Sequence, residues 1–187
     1  MASIDEQQVA LKQEENVSDI LASTFANTSI SALERAKIQA QVLVPVLRAF
    51  RAELGEARAN QIASKALREW SQQLYHNIGA QRSGSPRQKW EAITVALRNR
   101  VGSDVDFEML KEEPDAWEFN ITGCRYAEFF RQWGEPELGA LLTCEMDVDI
   151  EAVGSPEVSM TRTQTIMKGA KYCDFRYRLK TGGDAEK

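Results

Sequence analysis

Several kinds of chemistry are scarce in this sequence. Its 187 residues include one histidine, His76, and three cysteines, Cys124, Cys144 and Cys173. A single histidine excludes a histidine-rich metal centre and leaves a Ser-His-Asp or Cys-His unit only one candidate base. His76 lies near the end of a helical stretch with Gln72 and Gln73 one turn back, the setting of a surface histidine. The odd, widely spaced cysteines make neither a disulfide framework nor a CxxC zinc signature, so reduced thiols in a cytoplasmic protein are expected. No apolar run approaches the roughly 20 residues of a membrane span. Residues 1 to 18 are polar and acidic, unlike a secretory signal. Lys and Arg number 23 against 28 Asp and Glu, for a net charge of -5 and a pI near 5.1. A phosphate-binding face needs clustered bases, so neither nucleic acid nor membrane is expected as a partner.

The remaining composition, 43% hydrophobic and 27% charged, is that of a globular chain with enough length to bury a core. There is no internal repeat. Residues 1–28 read as a polar arm with a short helix around Val17 to Phe25, and residues 29–187 as one domain. The first long helix is expected from Ser31 to Leu54, with Leu33, Leu43, Val46, Leu47, Phe50 and Leu54 on its apolar stripe. Pro45 inside it should kink or split it. A second helix from Glu56 to about Ile78 places Ala63, Leu67, Trp70, Leu74 and Ile78 at steps of three and four. Ser85, Pro86 and Gln88 spell the start of a third, by cap, first-turn proline and capping box, followed by Trp90, Ile93, Leu97 and Val101.

After Gly102 the period falls to two. Val105, Phe107 and Met109 alternate with Asp106, Glu108 and Leu110. Trp117, Phe119 and Ile121 alternate with Glu118, Asn120 and Thr122. Glu113-Pro114-Asp115 supplies the turn of a hairpin with one buried face. Helical stretches over 124–133 and 136–150 follow, separated by Gly134 and Pro136. Strands from Val158 to Met167 and Tyr172 to Leu179 close the chain. The expected fold class is α+β, with N-terminal helices packed on a C-terminal antiparallel sheet of about four strands and two intervening helices.

Five segments in order carry a family resemblance: Phe-Asn-Ile-Thr-Gly-Cys-Arg-Tyr-Ala-Glu-Phe-Phe (119–130), Gly-Glu-Pro-Glu-Leu-Gly (134–139), Glu-Met-Asp (145–147), Arg-Thr-Gln-Thr (162–165) and Cys-Asp-Phe-Arg-Tyr (173–177). Together they resemble the core of the L-2-amino-thiazoline-4-carboxylic acid hydrolase family, over about a third of the chain. The resemblance implies a bacterial-type hydrolase that opens a cyclic amidine-like acid to carbamoyl-cysteine, on a route to cysteine, without a cofactor or metal. More distantly, helices followed by a sheet with a Gly-x-x-x-Cys hairpin are similar to vinyl-reductase-type small-molecule-binding domains.

Such a substrate needs a cation for its carboxylate, an acid for its isothiourea group, and a base or nucleophile for attack at carbon. If Gly169-Ala170 form a two-residue turn, Arg162 pairs with Tyr177, Gln164 with Phe175 and Ile166 with Cys173, all on the inward face. A buried Arg162 then needs a partner, either a ligand carboxylate or an acid such as Asp147. Thr163, Thr165, Asp174 and Arg176 take the other face, and a slip of one residue would exchange the two. The alternative is a structural ion pair at Arg162. Asp147, within the acidic run Glu145, Asp147 and Asp149, is the candidate base. Cys124, beside Arg125 at a strand-to-helix junction, and Cys173 are candidate nucleophiles, although buried cysteine is more often plain core, as expected of Cys144. The substrate-binding candidates are Arg162, Gln164, Thr163, Arg125, Tyr126 and Arg176, all within the quoted motifs. Trp117 and Trp133 are core aromatics by type that could also line a pocket. The favoured function is the hydrolase. Its rivals are a binding module without chemistry, and an interaction domain whose N-terminal helices form a homodimer surface.

Overall fold

The computed structural model describes residues 29–180. The arm expected over residues 1–28, with its short helix, lies outside the described residues. Helix α1, Ala32–Leu54, starts where Ser31 Oγ accepts from the Glu34 amide, and Gly55, at a φ of +77°, ends it. The chain turns there into α2, Glu56–Ala80. Of the kink or split expected at Pro45, the split does not occur. Proline forfeits one backbone donor, and the helix continues on both sides of it with Val44 and Leu47 buried.

The buried face of α1 also differs from the expected stripe. Leu33, Ala40, Val44 and Leu47 are buried, whereas Leu43, Val46, Phe50 and Leu54 are exposed. Both faces of this helix are apolar, so periodicity alone could not select one. Ala40 on α1 and Ala59 and Ala63 on α2 are all buried, and small side chains let two helices pack at the short end of the usual axis separation.

Helix α3, Pro86–Val101, begins with the full capping box: Ser85 Oγ accepts from the Gln88 amide, and the Gln88 side chain accepts from the Ser85 amide. The chain then enters a four-stranded antiparallel sheet in the order β1-β2-β4-β3, made of β1 (Val105–Glu113), β2 (Ala116–Cys124), β3 (Val158–Thr161) and β4 (Cys173–Leu179). This is the α+β architecture read from the sequence. Between β2 and β3 lie α4 (Arg125–Gln132) and α5 (Pro136–Gly139), a π turn over Ala140–Cys144, a 3-10 turn over Glu145–Val148, and α6 (Glu151–Gly154).

Burial alternates along β1 as expected, while its pairing with β2 shifts register at Asp106/Phe107 and Met109/Lys111. On β4, Phe175 pairs with Phe119 and Tyr177 with Trp117, and the inner face is a sheet of rings. Trp90 of α3 packs edge-on against Trp117 and tilted on Tyr177, which joins helix to sheet. The outer face is polar. Arg176 donates to Asn120 Oδ1 at 2.9 Å and Arg178 to Glu118 Oε1 at 2.6 Å.

The closing pair departs from the expected register. Met160, not Arg162, pairs with Tyr177, and β3 ends at Thr161. The link to β4 is longer than a two-residue turn because a 3-10 turn at Ile166–Lys168 occupies it, capped by Thr165 and closed by Gly169 at a φ of +99°. The amides of Thr163 and Gln164 donate to the Asp174 carboxylate at 3.0 and 2.8 Å, replacing ladder bonds. A slip of two residues preserves the side of each residue. Arg162 therefore stays on the side of Met160 and Tyr177, with its side chain 10% exposed.

Candidate active site

A cavity of about 800 Å³ opens between the helices and the inner sheet face. The sheet supplies Phe107, Trp117, Phe119, Phe175 and Tyr177; α2 supplies Leu67, Trp70 and Tyr75; α3 supplies Thr94, Leu97 and Arg98. The segment after α5 supplies Leu142, Cys144, Met146, Asp147 and Ile150. That segment was expected as one helix over 136–150. It instead passes from α to π to 3-10 geometry, a local irregularity that recurs at functional sites.

Asp147 is the acid in this wall. It accepts from Arg162 Nη1 at 2.6 Å, while Arg162 Nη2 donates to the Cys144 carbonyl at 2.8 Å. The same guanidinium lies 5.3 Å from the centre of the Phe175 ring. Both donors of the fork are thus committed to protein. Asp147 keeps 45% of its side-chain surface accessible, and it lines the cavity rather than the protein's outer surface. Burial pushes its carboxyl up to about 6, against the charge and hydrogen bond of Arg162, which favour the ionised form. A carboxylate so poised is ionised at neutral pH and is a stronger base than a free aspartate.

The neighbouring acids have separate partners. Glu145 accepts from Ser64 Oγ at 2.8 Å. Asp149 is buried and accepts from Ser71 Oγ and, at 3.2 Å, from Gln72 Nε2. The three acids thus turn to separate partners, and among the described residues no group of three or more His, Cys, Asp or Glu is placed to hold a metal ion.

All three cysteines line the cavity as free thiols. Burial raises Cys124, and amide hydrogen bonds from Ala127 and Tyr126 offset it only in part. Burial raises Cys173 too; its sulfur accepts from the Ile166 amide at 3.2 Å. Burial and the nearby Asp147 charge push Cys144 up to about 12. Each is held as a neutral thiol at pH 7, the poorer nucleophile. Cys144, expected as plain core, is part of the cavity wall. Tyr126 lines the cavity with its hydroxyl raised by burial.

The other candidates lie elsewhere. Arg162 stands behind Asp147 rather than among the lining residues. Thr163 Oγ1 donates to Asp174 at 2.6 Å, and Gln164 contributes its amide to the same carboxylate. The exposed Arg125 faces Asp106 at 3.6 Å. Arg176 is spent on the outer face, on Asn120 and on the carbonyls of Phe119 and Phe175. Of the two tryptophans, Trp117 lines the cavity and Trp133 does not. His76 is exposed and belongs to a separate pocket of about 760 Å³ with Gln72, Gln73 and Lys89.

Sequence reasoning missed Arg98 and Tyr75 as wall residues, and it placed Tyr177 on the inward face without assigning it to a cavity. Arg98 sits one position past Leu97 of the apolar stripe and reads as a solvated base. Only the placement of β1 against the end of α3 brings it over Phe107.

No curated protein matches the sequence. Fifteen chains of solved structures match in the comparison of folds. One is the phenol-responsive sensory domain of the transcription activator PoxR with phenol, at 13% identity, a TM-score of 0.43, and coverage of 73% of this chain and 72% of that one. The profile of the L-2-amino-thiazoline-4-carboxylic acid hydrolase family matches residues 35–177, most of the chain and nearly all of the described fold. The chain belongs to that family.

Proposed function

We propose that the cavity hydrolyses a small cyclic amidine-like acid, with L-2-amino-thiazoline-4-carboxylate, opened to carbamoyl-cysteine, as the reference substrate. The observation that carries this reading is Asp147: an acid in the wall of an apolar cavity, held by Arg162 and raised to about 6. Asp147 accepts a proton from water as the water oxygen bonds to the carbon between the ring nitrogen and sulfur. Asp147 hands that proton to the ring nitrogen, and as the bond from that carbon to sulfur or nitrogen breaks, the hydroxyl proton goes to the departing atom and leaves a carbonyl. The product is substrate plus one water, an isomer of carbamoyl-cysteine, and no cofactor enters the balance.

In this scheme Arg162 is a positioning residue that keeps Asp147 ionised and oriented. Tyr126, Cys124 and Cys173 shape the cavity, and the neutral thiols favour direct attack by water over a covalent intermediate. Three free thiols suit a reducing compartment, in keeping with a cytoplasmic enzyme. Incubation of the chelator-treated protein with L-2-amino-thiazoline-4-carboxylate, following carbamoyl-cysteine or free thiol, tests the reading. Turnover supports it; no turnover, with or without added divalent metals, removes it.

A further inference from the structure

We propose that Arg98 binds the substrate's carboxylate, and that the preferred substrate is a cyclic amidine-like acid carrying an additional flat apolar group. The inference rests on the hydrolase reading and extends it. A substrate carboxylate needs a cation that faces the cavity and is not already spent. Arg162 fails both conditions: it is absent from the lining, and its two terminal nitrogens go to Asp147 and the Cys144 carbonyl.

Arg98 meets both. It is the cationic side chain among the described lining residues, it stands exposed in the last turns of α3, and it forms no ion pair among the described residues. Its guanidinium carbon lies 4.6 Å from the Phe107 ring centre, so a cation–π contact fixes it beside the cavity while leaving its edge donors free. Thr94 and Asn99 of the same helix add polar groups beside it.

Size and lining give the second half. A volume of about 800 Å³ lies toward the upper end of the roughly 300–1,000 Å³ that drug-sized ligands occupy. A single small polar ring with an amino group and a carboxylate leaves most of that space unfilled. The cavity that Arg98 and Asp147 both line is also walled by Trp70, Phe107, Trp117, Phe119, Phe175 and Tyr177. Apolar rings favour a flat apolar occupant, whose burial removes apolar surface from water. The cavity therefore fits a ligand with charge at both ends and a ring between or beside them: carboxylate at Arg98, amidine group at Asp147.

The test uses the full chain and four compounds: L-2-amino-thiazoline-4-carboxylate, its derivative with a benzyl group on the ring, and the methyl ester of each. Turnover is followed as ring opening, and binding as quenching of tryptophan fluorescence, since Trp70 and Trp117 line the cavity. The benzyl acid should exceed the parent acid in kcat/KM by at least about tenfold. Arg98→Ala should raise KM for both acids by about tenfold to a hundredfold, with kcat changed far less, and should leave both esters unaffected. A parent acid preferred over its benzyl derivative, or an Arg98→Ala enzyme that still favours acid over ester, overturns the inference while the hydrolase reading stands. If no compound is opened, the hydrolase reading falls and binding alone decides. Benzyl acid bound more tightly than its ester in the wild type but not in Arg98→Ala sustains the site, and equal binding overturns it.

Discussion

Arg162 Nη1 meets Asp147 Oδ2 at 2.6 Å, joining the residue after the short strand β3 to the 3-10 turn that forms one wall of the cavity. The pair has one partner sunk in protein and one open to the cavity, with 10% and 45% side-chain exposure. In the proposed hydrolysis this asymmetry separates the roles, with Arg162 positioning and Asp147 acting as the base.

The first consequence is a pH profile. Asp147 must be ionised to act as base, and burial raises it to about 6 despite Arg162. The expected kcat/KM rises with pH and levels off above an apparent pKa near 6, well above an ordinary aspartate. The sign for stability is opposite. The folded-state value lies above the unfolded one, so this group favours the fold at low pH and loses that contribution as pH rises from about 4 through about 6. A pH–rate profile flat from pH 5 to 8 would dismiss Asp147 as the base.

A second expectation concerns Arg162. Arg162→Gln removes the charge that holds Asp147 down, so the acidic limb of the profile should move to higher pH. kcat at pH 7 should fall while KM changes little, because the guanidinium does not line the cavity. Loss of the hydrogen bonds that the enclosed Arg162 makes to Asp147 and to the Cys144 carbonyl should also cost about 1–3 kcal/mol in urea unfolding. An unmoved limb would show that Arg162 has no hold on the base.

The cysteines give a third. Cys124→Ser, Cys144→Ser and Cys173→Ser should each keep activity within about tenfold, since raised thiols are largely protonated at pH 7. Iodoacetamide should react slowly at pH 7 and faster as pH rises. A hundredfold loss in kcat for one serine variant, with trapping of a thioester-like adduct, would transfer the chemistry to that cysteine.

The fold was legible wherever one local pattern had one reading. The capping box at Ser85 and Gln88 and the alternation of Phe107, Trp117 and Phe119 needed no tertiary information. On α1 the pattern had two readings, and the structure buries the face that carries Ala40, Val44 and Leu47. The closing link was misread for another reason. Gly169-Ala170 resembles a hairpin turn, but Thr165 caps a 3-10 turn and Asp174 captures two amides eleven and ten residues back. Of the site, Asp147 and Arg162 were legible through their motifs. Arg98 was not, because a base at a helix end carries no mark of the cavity beyond it.

That capture by Asp174 gives a stability test away from the cavity. Burial would raise Asp174, but hydrogen bonds from the Thr163 hydroxyl and from the Gln164, Asp174 and Thr163 amides bring it below the ordinary carboxylate value. Its stabilisation is present above the unfolded pKa and is lost as pH falls through the lower folded one. Asp174→Ala should cost about 1–3 kcal/mol at pH 7, less at pH 3, in chemical denaturation. An equal cost at both pH values would contradict the assignment.

The most direct test of the account is Asp147→Asn, compared with wild type for both turnover and binding of L-2-amino-thiazoline-4-carboxylate. The amide can still accept from Arg162, so the variant should fold and bind within about tenfold of wild type, while ring opening falls by about a hundredfold or more. A variant that opens the ring at the wild-type rate would contradict the central claim.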